Sequence, residues 1–335
     1  MQISFRNNGV FLITAILNSL VCSTFFGVIG AVFGVITVLF THIIYEAKSE
    51  EGNVFYIWCL LLLVLAGAAL GFLLKLSVGF YFYLFCVSCI YYIVYNKDLY
   101  FDRTVPFLII FSCLGTTLSS ASIDLPLAYI TGITISLSCL ALLKRKHFDT
   151  SAFRNGLFAR QIYTGEKHIL LRAVVYSAFL FLSLALPDSL NLYRAYWAPL
   201  TFIVLLRPKE LDILKTTCLR FIGSILGALF IIVLFNLVSF THITLYFFIL
   251  AVVVFLLPSF LKLNYTAKTF AITVFVLLLL EETEFLHDPT YLLPFSRVYE
   301  TMIGGSVAII ASVVLKMMRP EKTDNAKRAE KRQET

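Results

Sequence analysis

Residues 216–237 read TTCLRFIGSILGALFIIVLFNL, 22 residues with Arg220 as the only charge. At about 1.5 Å of rise per residue, a helix of that length crosses the roughly 30 Å hydrocarbon core of a bilayer. Runs of the same kind recur along the whole chain. Of its 335 residues 59% are hydrophobic and 14% charged, and its mean hydropathy is +0.88. Soluble domains carry about 25% charged residues, so a water-soluble fold is excluded. The apolar runs are continuous and do not alternate with period two, which argues against a β-barrel.

The fold expected is all-α: a polytopic membrane helix bundle of about 12 transmembrane helices in two parallel six-helix repeats. The first six spans fall near 9–26, 28–45, 54–74, 78–95, 104–119 and 124–143. The second six fall near 169–186, 193–207, 216–237, 242–260, 266–281 and 297–317. The first two are read as helices joined near Phe26-Gly27, with one long kinked helix as the alternative. The domain reading is a membrane half over 1–143, a basic amphipathic cytoplasmic linker over 144–168, a second membrane half over 169–318 and a charged cytoplasmic tail over 319–335. Val21 before Cys22 is too large for a lipoprotein cleavage site, and the apolar stretch runs on to about Ile44, so no leader is expected to be removed.

The net charge of +7 is unevenly spread. Lys144, Arg145, Lys146, Arg154, Arg160 and Lys167 fall between spans six and seven, and Arg207, Lys209 and Lys215 between eight and nine. Lys262 and Lys268 fall between ten and eleven, and the tail from Arg319 is basic. All share one side if both termini are cytoplasmic, whereas Glu281, Glu282, Glu284 and Asp288 fall outside. This distribution sets topology, and with no recognition motif present a nucleic-acid partner is not expected. Tyr81, Tyr83, Tyr91, Tyr92 and Tyr95 bracket span four and read as an aromatic belt at the two interfaces.

Glycines recur in order in the two halves. Gly67 and Gly71 in LAGAALG correspond to Gly223 and Gly227 in RFIGSILG, an offset of 156 residues. Gly132 in YITGITIS corresponds to Gly304, beside Gly305, in TMIGGSVA, an offset of 172. Small residues at such spacing are the expected helix-packing positions. Parallel repeats place a substrate path between them.

Polar groups at membrane depth are functional by default, and they concentrate in the second half. Arg220, Gly223 and Gly227 share a helix face, and a guanidinium grips a carboxylate with two bonds. The alternative is that Arg220 snorkels to the surface. Arg220 and Arg172 are the expected substrate cations, Trp197 and Tyr196 an aromatic wall, and Thr201 and Thr217 hydroxyl donors. Arg297 and Glu300, three residues apart, are either a helix-end ion pair or a proton-coupling pair. Seven cysteines lie in or beside apolar runs and read as small hydrophobes. The five histidines are scattered and form no metal motif, so no metal, cofactor or enzymatic chemistry is expected. No Gly-rich phosphate loop is present, and the segment THIIYEAKSEEGN departs from the Gly- and Arg-rich motif of major-facilitator transporters.

The ordered set HxxxR, YWAPLT, RP, TTCLRFIGSILGA and RVYETMIGGSVA resembles the fusaric acid resistance family, also known as aromatic acid exporters. It is similar in outline to plant aluminium-activated malate channels. The resemblance covers about 168–317, and the first half follows through its glycines and span layout. It implies an inner-membrane transporter in the lipid bilayer that exports a small organic anion, often an aromatic carboxylate. It also implies a periplasmic adaptor protein as a partner. A passive organic-anion channel of the same fold and a membrane scaffold are the alternatives, and a homo-oligomer is left open. Only a short linker stands where many relatives carry a large cytoplasmic domain.

Overall fold

The computed structural model describes residues 5–46, 53–118, 122–144, 169–192, 196–208, 211–237, 243–284 and 292–318. The linker over 145–168 with His168, the acidic loop over 285–291 and the tail over 319–335 lie outside the described residues. The described residues form eleven helices and no strand. They are α1 (Phe5–Tyr45), α2 (Val54–Leu74), α3 (Val78–Val94), α4 (Leu99–Thr117), α5 (Asp124–Lys144), α6 (Ile169–Ser189), α7 (Trp197–Leu205), α8 (Leu214–Leu237), α9 (Ile243–Leu261), α10 (Tyr265–Glu284) and α11 (Leu292–Met317). Seven of these helices, α1, α2, α4, α5, α6, α8 and α11, are long and apolar enough to cross a membrane.

α1 folds back on itself at Gly27, whose φ of 71° and ψ of −166° suit glycine alone. Its arms, 5–26 and 28–45, pack antiparallel. The Phe11 and His42 rings lie 5.2 Å apart, and Asn18 Nδ2 donates to Gly34 O at 3.4 Å. The two-helix reading of this stretch therefore holds.

Close helix contacts occur where the glycines stand. α2 packs on α4, where a Cβ on Gly67 would meet Ser112 Oγ at 2.7 Å. α8 packs on α10 in the same manner, a Cβ on Gly223 falling 2.7 Å from Thr266 O. α5 rests on both arms of α1, with Gly132 against Thr37, and α11 rests on α6 and α7, with Gly304 against Thr201. The two most extensive seams between first-half and second-half helices involve α3 and α1. α3 meets α6 through a 2.7 Å Ser88–Ser177 hydrogen bond, and α1 meets α9 through a 2.7 Å Asn8–Ser259 bond. Large apolar side chains such as Phe82, Leu73, Phe248 and Leu237 face outward, as a lipid-contacting surface requires.

Three sequence expectations are corrected. Span five begins earlier, at Leu99, because Asp98 caps α4 by accepting from the Tyr100 and Phe101 N–H groups. Span twelve also begins earlier, at Leu292. Pro294 is tolerated there because first-turn N–H groups lack helical partners anyway. Tyr91, Tyr92 and Tyr95 are no interfacial belt. They are buried in the α3–α6 region, where Tyr91 and Tyr92 lie 6.3 and 5.4 Å from the Tyr176 ring.

Candidate functional site

Span eight, expected over 193–207, contains a helix of only 9 residues, α7. Pro199 sits in its first turn, and Pro208 follows its end, where the residue before a proline disfavours helix. At about 14 Å, α7 covers less than half of a bilayer core. It runs alongside α11 in the same direction, Trp197 level with Glu300 and Thr201 level with Gly304. Glu300 is the ninth residue of α11, so α7 starts about 12 Å below the beginning of α11.

A helix N-terminus at that depth exposes backbone donors where no water can take them. The Tyr196 side chain does not cap it. Instead the Trp197 N–H donates to Glu300 Oε2 at 3.1 Å. A carboxylate there also offsets the positive end of the helix dipole. Glu300 is fully buried.

Arg297, one turn before Glu300 on α11, is 2% exposed, and its guanidinium lies 5.0 Å from the centroid of the Trp197 ring. The pairing is a cation–π contact in a desolvated setting. Arg220 on α8 is 6% exposed, and it acts electrostatically on Arg297, as Glu300 and Tyr196 do. α8 reaches this place because Gly305 of α11 admits the Thr217 methyl at 3.0 Å from where a Cβ would stand. Several buried donors here have no hydrogen-bond partner: Arg220 Nε, Arg297 Nε and Nη1, and Thr201 Oγ1. Burying a polar group unpaired is costly, and burying a cation unpaired far more so. Guanidinium donors on α8 and α11 and a hydroxyl on α7, unpartnered where α7 and α8 both pack on α11, suit an anion with a planar, oxygen-bearing head.

The expected site residues thus divide. Arg220, Arg297, Glu300, Trp197, Tyr196 and Thr201 gather around the start of α7. Tyr196 meets Trp197 edge-on, with centroids 6.1 Å apart. Thr217 lies beside them, but its hydroxyl donates to Ile213 O at 2.8 Å. Arg172 sits on the α3–α6 seam, 5.8 Å over the Tyr92 ring, and its Nε also lacks a partner. Sequence reasoning missed the bond between Trp197 N–H and Glu300. The available signal was the helix onset at LLPFS, which moves Arg297 and Glu300 from a helix end into a helix interior. Among the described residues no three His, Cys, Asp or Glu side chains gather as a metal site.

Residues 178–311 match the family model described as fusaric acid resistance protein-like. The protein is accordingly a multi-pass membrane protein with a fusaric acid resistance-like second half, as the run from YWAPLT to RVYETMIGGSVA suggested. No curated protein and no solved structure matches the chain. The fusaric acid resistance-like span contains every member of the buried cluster, from Tyr196 to Gly304.

Proposed function

We propose that the protein exports organic anions, aromatic carboxylates among them, across an inner membrane, with both termini in the cytoplasm and without enzymatic chemistry. The observation that carries this reading is the set of buried, unpartnered donors on Arg220, Arg297 and Thr201. Arg220 takes the carboxylate from the cytoplasmic side, and Arg297 receives it deeper in the bundle. Trp197 and Tyr196 contact its aromatic body. Glu300, with Arg297, links movement to protons. Exchange of Glu300 between the Trp197 N–H and a proton would release the start of α7.

The bundle is read as two parallel six-helix repeats. The recurrence of helix pairings supports it: α2 with α4 and α8 with α10, α5 with α1 and α11 with α7, and the two seams between halves. At the offsets of 156 and 172 residues, Arg220, Arg297 and Glu300 correspond to Val64, Leu125 and Ala128. One half therefore holds the charged site and the other frames it.

A passive channel is the second reading, favoured by one observation: the Glu300 carboxylate already accepts a backbone N–H, a structural role. Uptake of labelled benzoate, beside malate, into proteoliposomes with and without a pH gradient separates the two. Gradient-driven accumulation that Arg220→Ala abolishes, with folded protein retained, is the expected result. Flux following only the anion's own electrochemical gradient would establish a channel. Unchanged transport by Arg220→Ala would overturn Arg220 as the anion's contact.

A further inference from the structure

The start of α7 is completed by a side chain of another helix, Glu300, and so is its end. The chain leaves the helix at Leu206, whose φ of −95° and ψ of 87° are not helical. The Leu206 carbonyl therefore lies past the last helical residue, where intrahelical N–H donors run out. Leu206 is fully buried, so bulk water does not reach it. α6 supplies the donor: the Tyr176 hydroxyl donates to Leu206 O at 3.0 Å. Two other buried tyrosines make the same kind of bond with a different consequence. Tyr129 donates to Leu61 O inside α2, and Tyr246 donates to Leu278 O inside α10. Those carbonyls sit in helix interiors, where the N–H four residues on already serves them. Of the three, Tyr176 is the one that completes a helix end.

Tyr176 is itself held from both sides. Its ring is fully buried and lies 5.3 Å from the Phe202 ring of α7 and 5.4 Å from the Tyr92 ring of α3. The next residue, Ser177, accepts the 2.7 Å bond from Ser88 of α3. The first-half helix α3 thus fixes α6 at the level where α6 grips α7. Phe202 adjoins Thr201, which stands against Gly304 of α11. At 9 residues, α7 is short enough to move as one piece. Where its end is held therefore decides where Thr201 and Trp197 stand.

We infer that Tyr176 is a positioning residue for the anion site. By holding Leu206 O and Phe202 it fixes α7 between α6 and α11, which keeps Trp197 against Arg297 and Thr201 against Gly304. Tyr176 acts through α7, as a supporting residue that locks the contacts of a binding site in place. For its ligand the role rests on the transport reading, and benzoate stands for the aromatic carboxylates.

The test is titration calorimetry of the full chain in detergent with benzoate, for wild type, Tyr176→Phe and Tyr246→Phe. Both substitutions remove one buried phenol bond and keep the ring. Tyr176→Phe should weaken benzoate binding by about fivefold or more, and Tyr246→Phe should bind as wild type does. A merely structural role would lower the yield or the melting temperature of both and leave the affinity of the folded protein alone. Binding by Tyr176→Phe within about twofold of wild type overturns the role, and so does equal weakening by Tyr246→Phe. Should Tyr176→Phe give no folded protein, Phe202→Leu takes its place. It keeps the phenol bond and removes the ring contact, and unchanged benzoate affinity in it overturns the role. A second readout needs no ligand. In a Trp58→Phe background Trp197 is the remaining tryptophan of the two. Its quenching by acrylamide should rise in Tyr176→Phe and stay level in Tyr246→Phe. Absence of benzoate binding by the wild-type chain refutes the transport reading alone. The quenching contrast then decides the role of Tyr176, and unchanged quenching in Tyr176→Phe overturns it.

Discussion

Replacing Glu300 by alanine removes the one carboxylate that serves two neighbours at the start of α7. The Trp197 N–H loses its 3.1 Å acceptor, which costs about 1–3 kcal/mol for a buried donor. Arg297, 2% exposed, also loses a nearby negative charge. The lost acceptor sets the expected destabilisation at about 1–3 kcal/mol. Glu300→Gln keeps an oxygen acceptor and nearly the same volume. It should lose less, falling between wild type and Glu300→Ala. Reversible unfolding in detergent, followed by tryptophan fluorescence, is a direct assay, because Trp197 is one of two tryptophans in the chain and stands at the perturbed point. A Glu300→Ala protein within about 0.5 kcal/mol of wild type would refute the capping argument, since surface-like changes fall in that range. Equal damage from Gln and Ala would refute it too, because charge alone would then account for the effect.

Gly27→Ala should cost about 1–3 kcal/mol through backbone strain alone, since nothing lies within 4 Å of the added Cβ. Gly9→Ala, equally open but helical, should be neutral or stabilising by up to about 1 kcal/mol, and thermal unfolding of the pair checks the contrast. Gly223→Ala sets a methyl 2.7 Å from Thr266 O and 2.9 Å from Thr269 Cβ, so α8 and α10 must part. A loss of about 1–3 kcal/mol is expected by the same assay. Tyr56→Phe removes the hydroxyl that donates to the buried Asp98 carboxylate, and chemical denaturation should report a loss of about 1–3 kcal/mol.

Helix positions were legible wherever a run was long, apolar and bounded by breakers. The span read at 54–74 is α2 residue for residue, and the break at Gly27 was visible as a glycine after paired phenylalanines. The cluster was partly legible, because charged residues inside apolar runs stand out against the cost of burying them. Hydropathy could not show how short α7 is. WAPLTFIVL is as apolar as its neighbours, and where a helix starts depends on who accepts its first N–H groups. That acceptor, Glu300, is 103 residues away. The tyrosines of α3 failed for a related reason: an aromatic near a helix end looks the same whether it meets headgroups or Tyr176.

The dependence of α7 on α11 bears on how the chain is built during synthesis. Nine residues are too few to partition into a bilayer as an independent segment. The carboxylate that completes the helix is made only after three more helices have left the ribosome. The stretch from α6 to α7 must therefore wait, unsettled, until the last helix arrives. A nascent chain arrested before residue 300 should carry a second half that is inserted but not assembled, with Trp197 still open to water-soluble quenchers.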